Sequence, residues 1–246
     1  MRIGVTFFSE KPIVLPWNYL DWLQGIFYRA MERGMPQLAH RVHDEGFVGS
    51  GKRYKLVTFS LLYPERYRVV SGGLRVEGVL HWWVSSPLGS VIEAVALGLL
   101  GEPEVWLGQH RVQVGEVRVM PIPQFTGPVT LVTLSPIFVT TGERTRAGRF
   151  QKRFLSPGEP DFVRVLNENA QRKAEAVWGR VPEGELRFEW LSRPESKLMT
   201  VNRFRVRGWM MRFRVSGPEE LIEIGYEAGF GERNAQGFGM VRVEST

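Results

Sequence analysis

The chain has 246 residues, of which 43% are hydrophobic and 12% aromatic, enough to form the core of one large or two smaller domains. It contains no cysteine, which excludes disulfides, thiolate nucleophiles and cysteine-ligated zinc and is consistent with a cytoplasmic protein. Basic side chains outnumber acidic ones by 32 to 26, and 26 of the basic residues are arginine, so the composition favours a nucleic-acid partner unless it reflects only coding bias. No apolar segment has the length or purity expected of a signal peptide or membrane span, so we expect no membrane partner.

The first half of the chain is expected to follow the order β-α-β-β-α-β. Hydrophobic periodicity and Pro and Gly breaks predict strands at 2–8, 56–62, 74–85 and 111–120 and helices at 16–34, 36–45 and 87–100. Between the second helix and the next strand lies GFVGSGKRYK (46–55), which is predicted to be a basic, glycine-rich loop.

The second half repeats this order after a Pro- and Gly-rich boundary at 121–128. We expect strands at 129–139, 185–191 and 238–243, helices at 161–178 and 218–226, and a hairpin-like pair of strands at 203–208 and 211–215. The predicted fold class is therefore α+β, with two tandem ferredoxin-like units over residues 1–122 and 123–246.

The segment Gly225–Val243 reads GYEAGFGERNAQGFGMVRV and contains two tight glycine pairs. Gly229 and Gly231 flank one phenylalanine, and Gly237 and Gly239 flank another. With Arg233 between the pairs, the loop could present backbone N–H groups to a phosphate, or the glycines could only turn the chain. The spacing fits neither the dinucleotide fingerprint nor the P-loop.

Two basic clusters in the second half predict a track for several phosphates, although each could also be only a solvated face. The first cluster lies in an insertion after the strand at 129–139 and comprises Arg144, Arg146, Arg149, Lys152 and Arg153. The second comprises Arg203, Arg205 and Arg207, whose period of two places them on one face of a strand.

A possible acid–base set lies in the first half. His43 on the second helix, Tyr28 near the end of the first helix, and Lys52 and Lys55 around the basic loop could serve RNA cleavage without a metal ion. The alternative is that Tyr28 packs on the core and His43 is an ordinary surface histidine. A metal-dependent site at His40, His43 and Asp44 is a further alternative, although the i,i+3 histidine pair lacks a clear third ligand.

These residues resemble a known family. The C-terminal GYEAGFGERNAQGFGMVRV looks like the glycine-rich signature of the RAMP superfamily, in particular of its CRISPR-associated, repeat-cleaving endoribonucleases, the Cas-six family. The segments WNYLDWLQGIFYRA, HRVHDEG and KLVTFSLL resemble that family's first helix, histidine region and following strand, and GLLGEPEVWL and VTLSPI match it in between.

The resemblance implies a metal-independent, cofactor-free cut in CRISPR repeat RNA that leaves a 2′,3′-cyclic phosphate and a 5′-hydroxyl. By position it places the family's catalytic groups at Tyr28, His43 and Lys55, with His40 and Lys52 as rivals. For such an enzyme, charge and element order lead us to expect RNA binding by the two basic clusters, by Arg233 and by the glycines at 229, 231, 237 and 239. A non-catalytic RAMP scaffold is the alternative function. The sequence leaves open a larger CRISPR effector complex and the choice between monomer and homodimer.

Overall fold

The computed structural model describes residues 1–144, 150–201 and 203–244, with only the backbone of Arg144 and Phe150. The first half contains β1 (Arg2–Pro16), α1 (Leu20–Gly34), α2 (Pro36–His40), β2 (Phe47–Gly49), β3 (Lys52–Tyr54), β4 (Thr58–Phe59), β5 (Tyr63–Val70), β6 (Gly73–Ser85), α3 (Gly89–Leu100), β7 (Glu104–Leu107) and β8 (His110–Met120). The second half contains β9 (Val129–Thr133), β10 (Thr140–Arg144), β11 (Phe150–Phe154), α4 (Pro160–Trp178), β12 (Arg187–Trp190), β13 (Glu195–Val201), β14 (Phe204–Met210), β15 (Arg212–Ser216), α5 (Glu219–Ala228) and β16 (Val241–Val243).

The first sheet has the antiparallel order β4-β6-β1-β8-β7, with β5 also paired to β6. Alternation along β1 buries Ile3, Val5 and Phe7 at no more than 1% exposure, and this apolar face packs with the buried stripe of α1, which includes Leu23 and Phe27. α3 packs beside α1. One layer of helices therefore covers one face of the sheet, and α1 is packed directly against it.

The second sheet has the antiparallel order β12-β15-β9-β16. Leu131 on β9 and Phe213 on β15 are fully buried against α4 and α5, which supply Phe162 and Ile222 to the same core. In each half the first strand lies between the third and the fourth main strands, which is the ferredoxin-like arrangement. The predicted fold of two tandem ferredoxin-like units is confirmed.

Several local predictions were wrong. The segment 46–55 is not a loop, because β2 and β3 form a hairpin joined by Ser50 (φ 45°) and Gly51 (φ 74°), a pair of positive φ angles typical of a tight two-residue turn. The strands at 203–208 and 211–215 do not pair with each other: β14 pairs with β13, whereas β15 joins β9 and β12. Arg203 lies in the turn before β14 with φ 67°, so it does not share a strand face with Arg205 and Arg207.

The two sheets are connected by 121–128, a segment without helix or strand. This agrees with the Pro- and Gly-rich boundary, and residue 122 as the point of division stays a prediction. No helix within the described ranges is long and apolar enough to cross a membrane.

Candidate active site

A cleft of about 580 Å³ lies between the two ferredoxin-like units, and both contribute to its walls. We call it the interdomain cleft. Its lining includes Tyr28, His43, Lys52, Lys55, Lys152 and the loop residues Gly231, Glu232, Arg233, Asn234, Ala235 and Gln236. The first unit supplies the phenol and imidazole, and the second supplies the glycine-rich loop. The structure thus brings two distant sequence motifs to one cavity.

Tyr28 and His43 meet at the wall of this cleft. Their ring centroids are 4.8 Å apart and the ring planes are inclined at 86°, so the contact is edge to face. Tyr28 is fixed by α1 and also contacts the buried ring of Phe27 edge to face. Burial raises the pKa of Tyr28 to about 12, and its hydroxyl therefore stays protonated and able to donate a hydrogen bond near neutral pH.

His43 lies on a single π-helical turn, Arg41–Glu45, that follows α2. The turn is closed by the N–H of Gly46, which donates to the carbonyl of Arg41 at 2.9 Å, and Gly46 itself has φ 66°. Sequence periodicity predicted one continuous helix here, and it could not reveal the wider turn. Such turns are often found at functional sites.

Asp44 connects the two rival histidines. Nδ1 of His43 lies 2.7 Å from Oδ1 of Asp44, and Nδ1 of His40 lies 2.7 Å from Oδ2. The hydrogen bond from His43 is the main cause that lowers the pKa of Asp44. Sequence reasoning considered Asp44 only as a metal ligand, although its spacing of four residues from His40 and of one from His43 was a signal for this contact.

The two histidines share one cavity, but only His43 of the two also lines the interdomain cleft. His40 is absent from the cleft lining and instead lines a smaller neighbouring cavity of about 290 Å³, to which Tyr28, His43 and Asp44 also contribute. Within the described ranges no group of three or more His, Cys, Asp or Glu side chains is arranged to hold a metal ion. The geometry therefore associates the cleft with His43 rather than with His40.

Both candidate lysines line the cleft. Lys55 follows β3, and its Nζ donates to the backbone carbonyl of His43. Partial burial lowers the pKa of Lys55. Lys52 begins β3 and is exposed. Lys55 thus contacts the His43 backbone directly, while Lys52 is free to reach a ligand in the cleft.

The glycine-rich loop approaches the cleft with only part of its length. Gly229, Gly237 and Gly239 are buried, with φ of 85°, 87° and 79°, and none of them lines the cleft. A Cβ on Gly239 would lie 2.0 Å from the carbonyl oxygen of Phe230. Packing against protein accounts for these three glycines, and contact of their backbone with RNA stays a prediction. Gly231 and Arg233 do line the cleft.

The basic residues that were predicted to form one track have different surroundings in the structure. Lys152 on β11 lines the cleft, but Arg153 forms ion pairs with Glu143 and Glu159. Arg205 and Arg207 are exposed together on β14. The side chains of the remaining three predicted residues of the first cluster, Arg144, Arg146 and Arg149, lie outside what the structure describes.

The chain is similar to known proteins over most of its length. The family described as "CRISPR-associated protein Cas6, N-terminal" matches residues 14–118, and "CRISPR associated protein Cas6, C-terminal" matches residues 120–243. The CRISPR-associated endoribonuclease Cas6 of Pyrococcus furiosus is 32% identical over 244 residues, covering 96% of this chain and 86% of the relative. The CRISPR-associated endoribonuclease Cas6 1 of Methanocaldococcus jannaschii is 30% identical over 242 residues, covering 98% and 92%.

A solved structure described as "An RAMP protein binding different RNA substrates" superposes with a TM-score of 0.85 at 25% identity and covers 100% of both chains. Two tandem ferredoxin-like units are thus found in a structural neighbour of the same superfamily. The family matches span nearly the whole sequence, and the identity to curated relatives extends over nearly the same length. This chain belongs to the Cas6 family.

Proposed function

We propose that this chain is an endoribonuclease that binds CRISPR repeat RNA and cleaves precursor crRNA by attack of a ribose 2′-hydroxyl, without a metal ion. The observation that carries the proposal is the edge-to-face contact of Tyr28 and His43 at the wall of a basic cleft. The endoribonuclease names of the relatives support the activity, and the cleft supplies residues suited to its chemistry.

In the proposed reaction two protons are transferred, one phosphorus–oxygen bond forms and another breaks. A base takes the proton of the 2′-hydroxyl, the 2′-oxygen bonds to the adjacent phosphorus, and the bond from phosphorus to the 5′-oxygen breaks. An acid then protonates that 5′-oxygen, which leaves a 2′,3′-cyclic phosphate upstream and a 5′-hydroxyl downstream. No external water or metal ion is needed to balance these steps.

The cleft residues divide these roles by their chemistry. His43 is the acid–base group for proton transfer in this reaction, because imidazole is the side chain that both accepts and donates a proton near neutral pH. Asp44 holds the His43 ring by its bond to Nδ1. Tyr28 stays protonated and donates a hydrogen bond that orients the 2′-oxygen. Lys55 offsets negative charge on the phosphorane, and Lys52 is the alternative for that role.

RNA binding is proposed to use the cationic lining on both walls of the cleft. Lys52 and Lys55 lie on one side, and Lys152 and Arg233 lie on the other. Arg205 and Arg207 are proposed to add positive charge on the exposed side of β14, and Arg146 and Arg149 stay predicted contacts. An RNA hairpin would be held mainly by its phosphates. We place the reaction in the cytoplasm, and docking of the product into a larger CRISPR complex is part of the proposal.

The proposal is tested by incubating the purified protein with its repeat RNA in excess EDTA. Persistent cleavage at one position, with a 2′,3′-cyclic phosphate on the upstream product, is the expected result. Loss of cleavage on chelation, with recovery on adding a divalent cation, would instead support the metal-dependent alternative at His40, His43 and Asp44. Tight binding without cleavage under either condition would support a non-catalytic scaffold.

A further inference from the structure

A buried lysine beneath the glycine-rich loop has no role in the reaction proposed above. Lys173 lies on α4 of the second unit and is 2% exposed. Charged side chains are rarely buried this completely unless their charge is satisfied, because transfer of an ammonium from water is costly.

The Lys173 ammonium is satisfied entirely by the loop. Nζ donates to the carbonyl oxygen of Gly229 at 2.6 Å, to that of Gly231 at 2.8 Å and to Oδ1 of Asn234 at 2.7 Å. An ammonium has three N–H donors, and all three are used. Burial lowers the pKa of Lys173 to about 7, while the charge of Glu232 acts in the opposite direction. A neutral amine would have one hydrogen too few for these three acceptors.

Asn234 continues the network through the loop. Its Nδ2 donates to the carbonyl oxygens of Phe230 at 3.1 Å and of Phe238 at 3.0 Å, so one amide joins both glycine pairs. A Cβ on Gly229 would lie 2.5 Å from Nδ2 of Asn234, and a Cβ on Gly239 would lie 2.6 Å from it. The loop therefore packs around the side-chain amide of Asn234, and the hydrogen bond from Lys173 connects that amide to α4.

The residue before Asn234 in the chain, Arg233, carries the loop's cation into the cleft. Arg233 has φ 57°, a left-handed conformation that a residue with a side chain rarely adopts, so the surrounding structure has to enforce it. Its guanidinium lies 5.3 Å from the ring centroid of Phe138, and its Nη1 donates to Oε1 of Gln236 at 3.0 Å. Arg233 lines the cleft that also contains His43.

We propose that Lys173 is a positioning residue: through Asn234 it holds the glycine-rich loop in the conformation that directs Arg233 toward an RNA phosphate in the interdomain cleft. This inference rests on the proposed function for the identity of the ligand. Lys173 borders the interdomain cleft, but its three hydrogens are already donated to the loop, so its role is to hold the loop and not to contact the RNA.

The test is a double-mutant cycle on binding of a repeat RNA that carries a 2′-deoxyribose at the cleavage position, so that binding is measured apart from cleavage. The variants are Lys173→Met, which keeps the length of the side chain without its charge, Arg233→Ala, and the two together. Lys11→Met removes the same charge from an exposed position of β1 and serves as the matched control.

Each single variant is expected to weaken binding roughly tenfold to a hundredfold, the value of a hydrogen bond to a charged group. The double variant should bind no more weakly than Arg233→Ala, because Lys173 acts only through that side chain. Lys11→Met should bind within about twofold of the wild type.

The inference would be overturned if the loss of RNA affinity in the double variant equalled the product of the two single losses. It would also be overturned if either single variant bound RNA with wild-type affinity. A lower melting temperature of Lys173→Met with unchanged affinity would show a merely structural lysine. Should Lys173→Met fail to fold, Asn234→Ala takes its place in the cycle, since it breaks the same connection and leaves Lys173 bonded to two carbonyls. If the wild type binds RNA but does not cut it, the nuclease proposal fails while the cycle still decides the role of Lys173.

Discussion

Replacing His43 with alanine while leaving His40 intact separates two chemically identical side chains that lie three residues apart. His43 contacts Tyr28 and lines the interdomain cleft, whereas His40 lies outside it. Loss of one general acid–base group costs about 10²- to 10⁴-fold in rate, equivalent to roughly 3 to 5 kcal/mol of transition-state stabilisation. We expect that loss for His43→Ala.

The matched variant His40→Ala removes the same ring and the same kind of contact with Asp44. It leaves His43 bonded to the other carboxylate oxygen of Asp44. The expected change in rate is therefore within about fivefold, far below the range for a lost acid–base group. RNA affinity should stay close to that of the wild type in both variants, because the phosphate contacts are assigned to lysine and arginine.

The assay is single-turnover cleavage of end-labelled repeat RNA with protein in excess, paired with a binding measurement on uncleavable RNA. Single-turnover conditions remove product release from the observed rate. A greater loss of rate in His40→Ala than in His43→Ala would refute the assignment and shift the catalytic site by about one helical turn. Equal, small losses in both variants would remove histidine from the mechanism.

Three further predictions concern the cations and the loop. Lys55→Ala should slow cleavage about tenfold or more with little change in affinity, whereas Lys52→Ala should mainly weaken binding; single-turnover rates against RNA concentration measure both. Lys152→Ala should weaken binding and reduce the slope of affinity against salt by about one, and Arg153→Ala should change that slope less, because its guanidinium is held by two glutamates. Gly239→Ala should cost at least about 2 kcal/mol and lower the melting temperature by roughly 4 to 8 °C, measured by thermal denaturation.

Each of these predictions has an outcome that contradicts it. A greater rate loss in Lys52→Ala than in Lys55→Ala would exchange the roles of the two lysines. An unchanged salt slope in Lys152→Ala would remove that residue from the RNA path. For the loop, Gly158→Ala is the matched control, since no atom lies within 4 Å of its added Cβ, and equal melting temperatures in both glycine variants would contradict the packing argument.

The sequence was informative where local pattern and burial coincide. Alternation in β1 and β6 and the apolar stripe of α1 reflect one face packed on the core, so the main order of strands and helices in both units was predicted from periodicity. The strand predicted at 56–62 is confined to β4, and β5 and β13 were not predicted. The lysine and arginine residues that line the cleft were among those predicted to bind RNA or to act in cleavage, apart from Arg53 and Lys173. The placement of Tyr28 and His43 at one site was also predicted, with the help of the family resemblance.

Strand pairing was less accessible, since it depends on distant partners. The segments at 203–208 and 211–215 alternate similarly and lie close in sequence, which favoured a hairpin between them. In the structure, Phe213 and Val215 of β15 are fully buried in the second core, where β9 is their neighbour. That preference arises from contacts more than 70 residues away in sequence, and no local pattern encodes it.

At the candidate site, the glycine-rich loop shows what could not be predicted from sequence. Glycine permits close approach by any group, so spacing alone does not distinguish a phosphate from another part of the protein. In this fold the neighbours of Gly229 and Gly239 include the amide of Asn234. The direction of Arg233 depends on that packing, and Lys173, which fixes it, lies more than 50 residues earlier in a helix where sequence gave no separate signal.

Internal attack by the ribose is tested most directly with two repeat RNAs that differ by a single oxygen, a 2′-hydroxyl or a 2′-hydrogen at the nucleotide before the scissile phosphate. The account predicts that, in excess EDTA, the first RNA is cut to a 2′,3′-cyclic phosphate while the second binds equally well and stays intact. Cleavage of the deoxy RNA at the same position would contradict it, because the only nucleophile in the proposed mechanism would then be absent.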